Sequence, residues 1–264
     1  MAEDHPRTAA AQNRSLHAAP STPPQLLPSL DPGVTLLDIR GGRGVPVVQS
    51  LVLDHLLTTG GPVVWLDATG IATTTTMAQL APSRRSLEQI HVARGFTATQ
   101  HHALATALPP VEPTLIVAPA VDAMYRDTDA FGPQTARRLL ARTLAALIGH
   151  DAPAVLLTRT ATDRFAAPVA TCAHHHLTCE LTAMGPRFTG DTTTTLVYPT
   201  PHAGVYQTTL AYWQQLLDAR ARAVGVDRTT PTQHTPGSRV SAVWMSGHGR
   251  CSHRPRPRCP RFAP

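Results

Sequence analysis

Short, uninterrupted apolar runs alternate along this chain with longer segments in which apolar residues recur at helical spacing. The runs are Val34–Ile39, Val63–Leu66, Gln89–Ala93, Thr114–Ala118, Ala154–Thr158, His176–Leu181 and Thr194–Tyr198. Each has the length of a strand, and the first five carry few polar interruptions, as strands buried on both faces of a parallel sheet do. Between them, Pro46–Thr58, Thr99–Ala107 and Pro133–Gly149 place apolar residues at i, i+3, i+4 and i+7, and the last closes on Ile148-Gly149, a helix C-cap signal. Strand and helix in alternation predict an α/β fold: a doubly wound, mostly parallel sheet flanked by helices. The last two runs, separated by Gly185-Pro186 and Gly190-Asp191, are expected as antiparallel strands added at one edge.

Three segments follow from the placement of proline. Residues 1–31 hold Pro6, Pro20, Pro23, Pro24 and Pro28 among small polar residues and are expected to be a disordered tail; residues 32–225 form the core domain; residues 226–264 form a second disordered tail, rich in Arg and Pro. The net charge of +6 sits almost wholly in that second tail, with seven Arg against Asp227 alone, whereas residues 34–225 hold 14 Arg against 13 acids. The basic balance therefore says little about the core. No apolar run approaches the roughly 18 residues of a spanning helix, and the first residues lack the apolar segment of a secretory signal. Four Cys make no disulfide framework. A soluble, cytoplasmic protein with no membrane partner is expected.

All 23 basic side chains are Arg, and Lys is absent. That excludes Schiff-base chemistry, a catalytic ammonium and the lysine of an ordinary phosphate loop. The first strand nevertheless runs into Arg40-Gly41-Gly42-Arg43-Gly44-Val45-Pro46-Val47-Val48 and then a helix, the place where backbone amides and a helix dipole hold phosphate. Against G-x-x-x-x-G-K-[ST], Gly41 fits the first glycine, but Pro46 replaces the second, Val47 the lysine and Val48 the magnesium-binding hydroxyl. Gly41, Gly42, Arg43, Gly44, Val47 and Val48 are thus candidates for a degenerate phosphate loop; the same residues also suit a plain strand-to-helix turn. Arg40 and Arg43, with Asp38, Asp67 and Asp122 near strand ends, form either a replacement set around it or caps of those ends.

Four further stretches carry a resemblance: VVWLDATG (Val63–Gly70), HVARGFTATQHHAL (His91–Leu104), TLIVAPAVDAMYRDTD (Thr114–Asp129) and AVLLTRT (Ala154–Thr160). In sequence, spacing and order they resemble the ATPase core of the RadA branch of the RecA recombinases, over about residues 27–210. The resemblance implies a RecA-like core. Carried over, the family's phosphate lysine falls on Val47, its magnesium hydroxyl on Val48, its Walker B carboxylate on Ala118, its water-activating glutamate on Thr69 and its polar sensor on Thr160. All five have changed. Phosphoryl transfer rests on a cation, a metal and a group that orients water, so the resemblance implies a pseudo-ATPase with no catalytic residue, no required cofactor, and ATP bound weakly if at all.

The family's two DNA-facing loops would begin at Tyr125-Arg126, with Arg137 and Arg138 beyond, and lie within Thr160–Val169. Arg126, Arg159 and Arg164 are the implied DNA contacts, to phosphates and without sequence preference. The implied partners are DNA and a recombinase, or self-association through the core. The expected function is a non-hydrolysing accessory factor in DNA recombination and repair. Two alternatives stay open: an ATPase with a non-standard phosphate loop, and a regulatory platform that binds nucleic acid through its basic tail alone.

The segment Cys172-Ala-His174-His175-His176-Leu-Thr-Cys179 has zinc's preferred ligands, but neighbours on a strand alternate faces and do not converge on one ion. Structural His and buried Cys are expected instead, and no metal. In the tail, Pro and Arg between His248, Cys251, His253 and Cys259 argue against a folded site. Tyr212-Trp213 through Leu216-Leu217, followed by Arg220 and Arg222, is expected to be an amphipathic helix packed on the core.

Overall fold

A computed structural model of the chain describes residues 27–42, 44–126, 128–182, 185–190, 196–197, 209–226 and 242–243. In chain order these form β1 (Gly33–Arg40), α1 (Val45–Thr58), β2 (Val63–Asp67), α2 (Thr74–Leu80), α3 (Arg84–Glu88), β3 (Ile90–Arg94), α4 (Ala98–Thr106), β4 (Leu115–Ala118) and α5 (Ala123–Arg126). There follow α6 (Pro133–Ile148), β5 (Ala154–Leu157), α7 (Ala167–Thr171), β6 (His175–Thr182), β7 (Gly185–Gly190), β8 (Leu196–Val197), α8 (Thr209–Ala223) and β9 (Ala242–Val243).

The strands make one sheet in the order β8-β7-β6-β1-β5-β4-β2-β3-β9. Every pairing from β6 to β9 is parallel; β7 on β6 and β8 on β7 are antiparallel. This is the expected α/β architecture, a doubly wound sheet with an antiparallel addition at one edge. One detail is corrected. The strand expected at His176–Leu181 is parallel to β1, and the antiparallel partner is Gly185–Gly190, a segment that reads as turn residues.

Period-2 alternation divides the central strands between two cores. Leu37, Trp65, Val117 and Leu156 face one layer with α1, α2 and α8; Leu36, Leu66, Ile116 and Leu157 face the other with α4, α6 and α7. α6 begins with Pro133 in its first turn and buries Ala136, Leu140, Thr143, Leu144 and Leu147, one stripe at helical spacing. α1 is buried from Val47 through Leu56, so its polar residues need internal partners. Gln49 donates to the Ile71 carbonyl (3.0 Å), His55 shares a hydrogen bond with Thr114 (3.3 Å), and Asp54 accepts Arg220 Nε of α8 (2.6 Å).

Leu27, within the first tail expected from the sequence, lies in the first core, and Ala242–Val243, within the second, pairs with β3. The rest of both tails, including His248, Cys251, His253 and Cys259, lies outside the described residues, as does most of Thr194–Tyr198. Among the described residues, no helix is long and apolar enough to cross a membrane, and no three metal-ligating side chains cluster. His174 Nδ1 accepts the Val34 amide (2.9 Å), His175 meets the Pro32 carbonyl (3.1 Å), and burial pushes the Cys179 thiol up to about 12. The two histidines tie the start of β6 to the start of β1.

Candidate functional site

In a doubly wound sheet, crevices open at the carboxyl edge where neighbouring strands continue into helices on opposite faces. β1 leads to α1 on one face and its neighbour β5 to α7 on the other. β2 leads to α2 on the first face, while its neighbours β4 and β3 lead to α5, α6 and α4 on the second. The carboxyl edge therefore has two candidate crevices, one at β1/β5 and one around β2.

The glycine turn sits at the first. Gly41 has φ +82°, and a Cβ there would come 2.8 Å from the Leu181 carbonyl of β6, so the turn packs directly on the neighbouring strand. Gly42 is exposed, and Arg43 lies outside the described residues. Gly44 caps α1, Pro46 withholds one amide, and the next two side chains turn inward: Val47 is 0% exposed and Val48 1%, both in the first core. The residues present do not fit a nucleoside triphosphate with its metal. There is no ammonium or hydroxyl, and the side chains at the matching positions face hydrocarbon.

The β1/β5 crevice holds ion pairs instead. Arg159, just past β5, donates Nε (2.9 Å) and Nη2 (2.7 Å) to Asp38 of β1 in a bidentate pair that bridges the two strand ends. Beside it, fully buried Asp122 accepts the Thr160 amide (2.7 Å), the Thr160 hydroxyl (2.7 Å) and Arg126 Nε. Both Nη atoms of Arg126 donate to Asp163 (2.7 Å each), and its guanidinium lies 4.8 Å from the Phe165 ring centre. These contacts hold the Asp163 carboxyl well below the usual carboxylate range and raise both Arg126 and Arg159. Two guanidinium groups thus face three carboxylates, a local excess of one negative charge.

The remaining candidate residues are placed as follows. Ala118, at the Walker B position, is fully buried in the second core. Thr160 is spent on Asp122. Thr69 is exposed at the end of β2, and Arg164 is exposed with no ion pair among the described residues. Asp67 is an organiser of the loop after β2: its carboxylate accepts the amides of Thr69, Gly70, Ile71 and Ala72 and Nε of Arg94 (2.8 Å). Arg40 is exposed. Arg126, Arg159 and Arg164 therefore gather on one side of the carboxyl edge, but only Arg164 stands free of a carboxylate.

Sequence reasoning missed Asp163, whose pairing with Arg126 spans 37 positions, and a buried relay beneath the edge. In that relay His101 Nδ1 meets the Tyr125 hydroxyl (2.9 Å), which meets Thr143 Oγ1 (2.7 Å), which in turn meets His102 Nδ1 (3.0 Å). Burial lowers His101 to about 4, with Asp67 opposing and His102 adding to the effect. Its folded value lies below the unfolded value of about 6.5, so the unfolded chain holds the extra proton between them and stability falls as pH drops from about 6.5 to about 4. The expected loss is of order 3 kcal/mol over that window. Urea unfolding from pH 7 to pH 4 should show it, and His101→Asn should flatten the acid limb; equal limbs in both proteins contradict the assignment.

No protein-family model matches the chain, and no curated protein sequence does. Among solved structures, a KaiC-like protein from the hyperthermophilic archaeon Pyrococcus horikoshii is similar with a TM-score of 0.46 at 12% identity, covering 64% of this chain and 83% of that one.

Proposed function

We propose that this chain is a RecA-like core that does not turn over ATP and acts as an accessory factor in DNA recombination and repair, by contact with a recombinase and with DNA. One observation carries the non-hydrolysing half. The positions that would supply the phosphate-binding ammonium and the magnesium hydroxyl are Val47 and Val48, buried in the core, while the neighbouring crevice is occupied by Arg159 on Asp38. Without those groups nothing neutralises charge on a transferring phosphoryl. The recombination context is supported by the ordered resemblance of residues 63–160 to the RadA branch.

A second reading concerns where DNA is held. Arg126 and Arg159 are each paired to carboxylates, which favours contact through the seven arginines of residues 226–264, with the core as platform. Calorimetry of the full chain with ATP, with and without magnesium, tests the first half: neither titration is expected to show millimolar or tighter binding, and DNA should not elicit phosphate release. DNA-stimulated hydrolysis overturns it. Titration with single-stranded DNA at rising salt, repeated on Arg126→Ala/Arg164→Ala and on residues 1–225, separates core from tail. If neither change weakens binding, DNA contact by this surface and by the tail is both wrong.

A further inference from the structure

Of the two crevices along the carboxyl edge, the one at β1/β5 is filled by ion pairs and the one around β2 is open. It is a cleft of about 420 Å³ walled by Thr69 after β2, Phe96, Thr97 and Thr99 after β3, and Asp129 and Phe131 after β4. That volume is within the range of small-molecule sites, roughly 300–1,000 Å³, and its place at the strand ends is where a doubly wound sheet receives ligands.

The chemistry of the walls restricts the ligand. Among the described residues, no cationic side chain lines the cleft, and the charged lining residue is Asp129. Three amides at its rim are engaged: Gln100 N donates to Thr97 Oγ1 (3.2 Å), Phe96 N donates to Gln100 Oε1 (3.0 Å) in a reciprocal cap of α4, and Thr69 N donates to Asp67 (3.3 Å). What the side chains offer is acceptors, threonine hydroxyls and a carboxylate, together with a flat apolar surface. Phe96 is 63% exposed, the most exposed large apolar side chain among the described residues. An aromatic ring held in that way at a ligand-sized cleft suits stacking.

We infer that this cleft binds a nitrogen heterocycle of nucleoside size and without phosphate, its ring stacked on Phe96 and its N–H edge donated to Asp129. The site is separate from the glycine turn and does not depend on how DNA is held. A base with two adjacent donors pairs with a carboxylate better than one with a single donor, so guanosine is preferred over uridine.

The test is calorimetry and saturation-transfer NMR on the full chain with guanosine, uridine and guanosine 5′-monophosphate. Guanosine is expected to bind most tightly and the monophosphate no better, because the Asp129 carboxylate repels a phosphate and no cationic side chain among the described lining residues offsets it. Phe96→Ala should weaken guanosine about tenfold and Phe96→Tyr should retain it, while Asp129→Asn should remove the preference over uridine. Both side chains are exposed, so the unfolding midpoint of these variants should stay at the wild-type value. Absence of nucleoside binding, tighter binding of the monophosphate, or indifference to both Phe96→Ala and Asp129→Asn overturns the inference.

Discussion

Asp54→Ala is expected to cost about 3–5 kcal/mol of folding stability, read as a lowered urea midpoint at an unchanged slope. Asp54 and Arg220 are 4% and 7% exposed, and their bidentate contact (2.6 and 3.3 Å) joins α1 to α8. Removing the carboxylate leaves a guanidinium in a nearly dry site between two helices, with no other carboxylate in contact among the described residues. Burial pushes the Asp54 carboxyl up further than Arg220 pulls it down, so the pair is assembled against a desolvation cost. The double replacement Asp54→Leu/Arg220→Met should therefore recover most of the loss, because it removes both charges and keeps the volume. A cost below about 1 kcal/mol for the single change would mean that water reaches the pair.

Val47→Lys is the second large effect and bears directly on function. It restores the residue that a phosphate loop requires, yet the side chain at that position points into the first core among Leu51, Trp65 and their neighbours. An ammonium there is unpaired and desolvated, and a destabilisation of about 3–5 kcal/mol is expected, with no gain of ATP binding. Val47→Leu, which keeps the apolar character, should cost less than about 1.5 kcal/mol. A Val47→Lys protein that keeps its midpoint and binds ATP would falsify the account of the turn as closed.

The parallel sheet was legible because residues buried on both faces leave an unmistakable trace: Val63 to Leu66 and Leu115 to Ala118 have no polar position. The segment at Gly185–Gly190 was not, because Gly185, Pro186 and Gly190 read as turn residues. Pro186 pairs with Leu181 of β6, and among the described residues β8 pairs with Arg187 and Phe188, the two positions next to it. α2 was missed for a related reason. Threonine is a poor helix former, and burial of Met77 and Leu80 outweighs that local preference. At the candidate site, the glycine turn and the losses at Val47, Val48 and Ala118 could be read in order along the chain. The carboxylates that neutralise the arginines could not, apart from Asp122 four positions before Arg126. Asp38 and Arg159 are 121 positions apart, and no periodicity connects them.

The bridge between α1 and α8 also has a consequence in time. Arg220 is made 166 positions after Asp54, an interval of roughly 8–33 s at ordinary rates of synthesis. Until then the outward side of α1 has no cover, and Asp54 has no counter-ion. The first core is thus the last to close on a ribosome, long after the strands and helices of the second core have emerged. A nascent chain of this protein passes through a stage in which the second core is complete while α1 and α2, already laid on the first face, still show water the apolar sides that α8 will cover, and that stage, rather than the finished fold, is where it is most exposed to aggregation.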